Sequence, residues 1–260
     1  MKKIIVILFY FFLHPVYSQI TLLESYPFQA GEKVVYDAIY DWGFITLKAG
    51  VVTFYIDSLQ KDGEAYYLLH STGISKPNYD WLYMVRDSFQ STVKVSDFQP
   101  IHYKRNTNEG KYQVNNEIFF KEEEGIIQME LDNTEDGYRI TSLPYENDVF
   151  DLQTAVYFAR LLDPASARMG NIYHFHIIID GEPYTIPIRY EGKEILHLSN
   201  GNSYSCHRIS TEVIEGTIFR SQETIKIWVT DDGSQIPIKV EAPIIVGKVI
   251  AELTEYSSGK

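Results

Sequence analysis

His174 and His176 stand two residues apart in the run Ile172–Asp180, whose alternation reads as a β-strand. A period of two puts both imidazoles on one face, roughly 6.5–7 Å apart along the strand. Neutral imidazole is a common zinc ligand, so this pair is the chain's candidate metal site, with His197, His207 or Asp180 as a third ligand. The plainer explanation is two histidines on the wet face of a sheet, and no cofactor is expected. Cys206 and His207 suggest a nucleophile and its base, but neighbours in a strand point to opposite faces. A small buried hydrophobe is the better reading of Cys206. Glu122-Glu123-Glu124 and Asp231-Asp232 each stand beside a glycine, as solvated turn residues do. The chain has no GxSxG, HExxH, phosphate-loop or EF-hand spacing. No catalytic residue is assigned, and a non-enzymatic protein is expected.

Aromatic residues are the more informative chemistry. Twenty Tyr, fourteen Phe and three Trp make up 14% of the chain, and many fall on strand-like runs. A tyrosine has an apolar body and a polar tip, so such side chains can line a site for an apolar or amphipathic molecule. Trp81, Tyr83, Tyr157 and Phe158 are the expected ligand-binding residues. The ligand would lie between a sheet and the helix expected over Asp148–Asp163, DVFDLQTAVYFARLLD. There Val149, Leu152, Val156, Ala159 and Leu162 recur at helical spacing. Asp148 or Asp151 caps the start and Pro164 ends the run. A helix of roughly 12–16 residues is marginal alone in water, so it must bury that face on something.

Around this helix the sequence predicts about a dozen strands joined by short turns. Examples are Lys61-Asp62-Gly63-Glu64, Glu122–Gly125, Asp180-Gly181 and Asp231–Ser234. Short turns favour antiparallel pairing. Pro183 and Pro187 mark Thr185–Tyr190 as an edge strand. Asn78–Val85 reads as extended or as a short helix.

Lys2 and Lys3, then the apolar run Ile4–Leu13, then Val16-Tyr17-Ser18 read as a secretion signal over residues 1–18, cleaved before Gln19. Residues 19–260 are expected to form one β-rich domain. No run is long enough to cross a membrane as a helix. The net charge of −12 argues against nucleic acid and anionic lipid surfaces. A single cysteine rules out an internal disulfide.

Three stretches together resemble a bacterial exported family, domain of unknown function 3108. They are Phe28-Gln29-Ala30-Gly31-Glu32-Lys33-Val34-Val35-Tyr36 with Ala49-Gly50, then Asp151–Arg160, and then Trp228–Asp232 with Ile236–Lys239 and Gly247. They look like that family's F-x-x-GE-x-x-x-Y, D-x-x-[ST]-x-x-Y-x-x-R and closing W-[VL]-[ST]-D-D patterns. The resemblance implies a β-rich protein in the periplasm or envelope of a Gram-negative bacterium. It also suggests kinship with the half-barrel of periplasmic lipoprotein carriers, and it brings no catalytic residues. Arg160, late in the helix, is placed to pair with a sheet carboxylate.

The fold class expected is therefore mainly β: a large curved antiparallel sheet, half-barrel or open barrel, with one principal helix packed on it. The expected partner is a lipid or other amphipathic small molecule, or alternatively an envelope protein. A metal-dependent hydrolase is the remaining alternative.

Overall fold

The computed structural model describes residues 21–43, 45–81, 83–212, 224–244 and 246–259. The expected leader, residues 1–18, lies outside them. The turns legible in the sequence separate fifteen strands. The first eight are β1 (Glu32–Trp42), β2 (Ile45–Lys61), β3 (Glu64–Ser75), β4 (Arg86–Lys94), β5 (Pro100–Glu109), β6 (Tyr112–Lys121), β7 (Ile126–Asn133) and β8 (Gly137–Pro144). A short β9 (Val149–Asp151) leads into the helix α1 (Leu152–Phe158) and a 3-10 turn over Ala159–Leu161. Then follow β10 (Ile172–Ile179), β11 (Glu182–His197), β12 (Ser203–Glu212), β13 (Thr224–Thr230), β14 (Pro237–Pro243) and β15 (Lys248–Ser258).

All fifteen join one sheet in the order β8-β7-β6-β5-β4-β3-β2-β1-β15-β14-β13-β12-β11-β10-β9. Every pairing is antiparallel except β9 with β10. This is the mainly β, curved antiparallel class that the sequence predicts.

A sheet twisting by roughly 20–25° per strand cannot stay flat over such a width. Here it coils until its ends meet. Ile178 of β10 is buried among Tyr103, Ile118, Met129 and Leu131 on the inner face of β5–β7. The β10–β11 turn is pinned there by side chains. Asp180 accepts from Arg105 at 2.9 Å and from Asn116 at 3.1 Å, and its carbonyl accepts from Arg139 at 3.0 Å. Gly181 has φ +90°, and a Cβ there would sit 2.6 Å from Leu131. Glycine is what lets the turn lie this close.

The helix plugs the interior. Tyr157, Phe158 and Leu161 pack with Phe28, Ile56, Leu69, Val93, Phe98 and Phe175. It is shorter than expected, because Val149–Asp151 pair as a strand and Ala159–Leu161 tighten into a 3-10 turn. Its buried face also differs. Gln153, Thr154, Tyr157 and Phe158 are buried, while Val156 is exposed. This amounts to a rotation of one residue, about 100°. Part of this polar surface is paired: Ser71 donates to the Gln153 side-chain oxygen at 2.7 Å, and the Thr154 N–H and hydroxyl donate to Asp151.

The edge expected over Thr185–Tyr190 is found over its first half, up to Pro187. Residues 182–197 form one long strand with a register shift at Gly192: residues 182–187 pair with β10 alone, Ile188 and Arg189 pair on both sides, and the rest pairs with β12. Pro183 and Pro187 lie in the part that pairs with β10 alone, where a missing N–H is tolerated. At the stretch expected to be extended or to start a short helix, a 3-10 turn spans Pro77–Tyr79 and Val85 forms an isolated bridge to Glu109. No helix among the described residues is long and apolar enough to cross a membrane.

Candidate functional site

The three motif stretches converge on one ion pair. Arg160, at the foot of the helix, donates to both carboxylate oxygens of Glu32 on β1, at 2.5 and 3.1 Å, and to the carbonyl of Ser234 at 2.9 Å. Its side chain is 5% exposed and that of Glu32 is 1%. The guanidinium lies 5.0 Å from the Phe28 ring and 5.9 Å from Tyr157. Tyr36 donates to the Pro237 carbonyl at 2.9 Å. Asp151 caps the helix by accepting from the Thr154 N–H at 2.8 Å, and it also accepts from the Ser91 hydroxyl. So Phe28, Glu32, Tyr36, Asp151, Thr154, Tyr157, Arg160 and Pro237 tie helix, first strand and last turns together. The cavity on the helix flank, beside Ala159, Leu162 and Tyr190, holds only about 20 Å³. Such a sealed charge pair positions elements; it offers no substrate a way in.

A second polar chain runs through β11–β13. Burial holds His207 below its usual range, so it is neutral at pH 7. Its Nδ1 accepts from Tyr190 at 2.9 Å, and its Nε2–H donates to Asp231 at 2.8 Å. Lys193 in turn donates to Asp231 at 2.9 Å. Both ring nitrogens are therefore occupied. Cys206 is fully buried, and burial pushes its thiol up to about 11. That rules out a ready nucleophile.

His174 and His176 lie exposed on one face of β10, and His176 is 3.1 Å from the Thr185 hydroxyl. His197 pairs with Ser203, and Asp180 with Arg105 and Asn116. Among the described residues no three histidine, cysteine, aspartate or glutamate side chains gather as metal ligands.

The four expected ligand residues fall into two places. Tyr157 and Phe158 are buried in the core, 2% and 5% exposed, and the space expected for a ligand holds these rings themselves. Trp81 and Tyr83 lie in the β3–β4 connection, at the sheet end where the hairpin tips of β1–β2, β5–β6, β7–β8, β10–β11 and β14–β15 also gather. Side by side at that end, Tyr40 donates to the Val246 carbonyl, Lys76 N–H to Ala49, Gly110 N–H to Met84 and Thr134 N–H to Gln113. Trp81 is 81% exposed there, and Trp42, Tyr83, Tyr184 and Val246 are exposed with it.

Sequence reasoning missed a carboxyl pair at this end. Asp87 and Glu109 face each other beside Tyr83, whose hydroxyl donates to Glu109 at 3.2 Å. Burial and the Glu109 charge push Asp87 up to about 7. The folded chain thus holds this proton more tightly than the unfolded chain, whose aspartate titrates near about 4. The stability from the neutral carboxyl is full below that value and lost as pH rises through about 7. Asp87→Asn is expected to stabilise the fold by about 1 kcal/mol at about pH 8, and by much less at about pH 5, once solvent screening is allowed for. Urea unfolding at both pH values checks this.

Comparison with known proteins follows the same lines. We find no match among curated proteins. The beta-barrel-like protein of domain of unknown function DUF1849 from Brucella abortus superposes with a TM-score of 0.58 at 8% identity, over 90% of this chain and 99% of that one. The hypothetical protein CT021 from Chlamydia trachomatis gives 0.37 at 8% identity, over 89% and 88%. The first likeness shows a barrel-like fold. Residues 35–254 match the family described as protein of unknown function, DUF3108, and this chain belongs to that family.

Proposed function

We propose that this chain is an exported, non-enzymatic binding protein of the cell envelope, and that it works through its hairpin end. One observation carries the reading: Trp42, Trp81, Tyr83 and Tyr184 are all exposed at that end, while the aromatic residues beside the helix are packed away. Trp and Tyr are the side chains that settle where an apolar phase meets water. They fit a lipid or other amphipathic molecule bound across the rim rather than between helix and sheet. The leader-like residues 1–18 support export. The non-enzymatic reading rests on Cys206, which is buried, and on His207 and Arg160, whose nitrogens are held by fixed partners.

A second reading, an envelope scaffold, is favoured by β8. It is the last strand of the sheet, with Tyr138 and Ile140 exposed, and a free edge can add a partner's strand.

Native mass spectrometry of protein purified from envelopes without detergent tests both. A bound mass that extracts as an amphiphile, lost in Trp42→Ala/Trp81→Ala, is the expected result. A bare chain mass at full occupancy, with a co-purifying protein, would replace it with the scaffold.

A further inference from the structure

At the hairpin end β6 and β7 part. Their register runs Val114↔Asn133 and Glu117↔Glu130, but the pairs between them, Asn115 with Asp132 and Asn116 with Leu131, are missing from the ladder. Asn116 bridges the gap on the inner side. Its Oδ1 accepts from the Asp132 N–H at 3.1 Å, and its Nδ2 donates to Asp180. On the outer side, where Asn115 and Asp132 are exposed, the parting leaves a depression of about 430 Å³. That is within the size range of small-molecule sites.

Cross-strand pairing sets Asn106 opposite Asn115, Asn108 opposite Gln113, and Asp132 opposite Tyr138. Asparagine is disfavoured in strands. The fold itself makes no use of these side chains: the amides of Asn106, Asn108, Gln113 and Asn115 have no hydrogen-bond partner among the described residues. Each carries two donors and an acceptor with two lone pairs, which matches a hydroxyl that both donates and accepts. The Thr107 and Thr134 hydroxyls are held by Arg105 and by the Gln113 backbone, and Asp132 is the one charged residue in the lining. An anion would meet no cation there. Tyr138, 63% exposed, stands beside Asp132 and offers a ring face to the C–H side of a pyranose.

We infer that this depression binds a short neutral saccharide, held by the amide rows and Asp132 and flanked by Tyr138. The inference concerns a different surface from the Trp42 and Trp81 rim.

Saturation-transfer NMR and calorimetry with maltotriose, cellotriose and the trimer of N-acetylglucosamine, with inorganic phosphate as the anion control, test it. At least one sugar should bind saturably without displacement by phosphate. Asn106→Ala/Asn115→Ala, and separately Tyr138→Ala, should weaken that binding by about tenfold or more. These exposed substitutions should leave the melting temperature in place, and Trp81→Ala should leave sugar binding unchanged. Absence of binding by all three sugars at millimolar concentration, displacement by phosphate, or unchanged affinity in both variants would overturn the inference.

Discussion

Glu32→Ala is expected to lower the unfolding free energy by about 3–5 kcal/mol, the range for removing one partner of a buried ion pair. The carboxylate accepts two bonds from Arg160 in a site that is 1% exposed on one side and 5% on the other. Without it the guanidinium keeps its bond to the Ser234 carbonyl and its place over Phe28, but its charge is left without a counter-ion. Arg160→Lys should also be costly, because an ammonium cannot make the two-pronged contact. The pair Glu32→Leu/Arg160→Met should recover most of the loss, since apolar side chains of like volume often replace a buried ion pair at little cost. Urea denaturation of the three variants measures this. A loss under about 1 kcal/mol for Glu32→Ala would mean that water reaches the pair in solution.

The arrangement explains why some of this fold is legible from sequence and some is not. Turns are local, so Lys61–Glu64, Glu122–Gly125 and Asp180-Gly181 bound strands where their residues say they should. The helix is legible because Asp151 caps it through Thr154, three residues on. Its orientation is not, because it is set by groups far along the chain. Ser71 holds Gln153 from 82 residues away, and Glu32 holds Arg160 from 128 away. Apolar spacing therefore points to Leu152 and Val156, while the sheet takes Gln153 and Tyr157. Closure of the coil is equally remote. It rests on Asp180 meeting Arg105 and Asn116, and each of these residues looks like ordinary strand or turn polarity when read alone. The candidate site divides in the same way. Trp81 and Tyr83 can be singled out as aromatics, but only the register brings Trp42, Tyr184 and Val246 to the same end and puts Glu109 beside Asp87.

Asp151→Ala is expected to cost about 2–4 kcal/mol, combining a lost cap with buried donors left unpaired. The side chain is fully buried and accepts from the Thr154 N–H at 2.8 Å, the Thr154 hydroxyl at 2.6 Å and the Ser91 hydroxyl at 2.5 Å. Alanine leaves all three donors facing an apolar wall. Asp151→Asn keeps an acceptor for the cap and should cost less, and its cost should depend on pH. Burial holds the Asp151 carboxyl above its usual range despite those donors. The folded state therefore binds a proton that the unfolded state has already released, so native stability falls as pH rises from the unfolded value, near about 4, through the folded one. Asparagine carries no charge and escapes that fall. The gap between wild type and Asp151→Asn should thus be widest in acid and narrow as pH rises, and the gap for Asp151→Ala should narrow in parallel while staying the larger of the two. Urea midpoints for the three proteins across that range decide the matter. A gap for the asparagine variant that widens with pH would show that the ionised carboxylate is the form the helix needs.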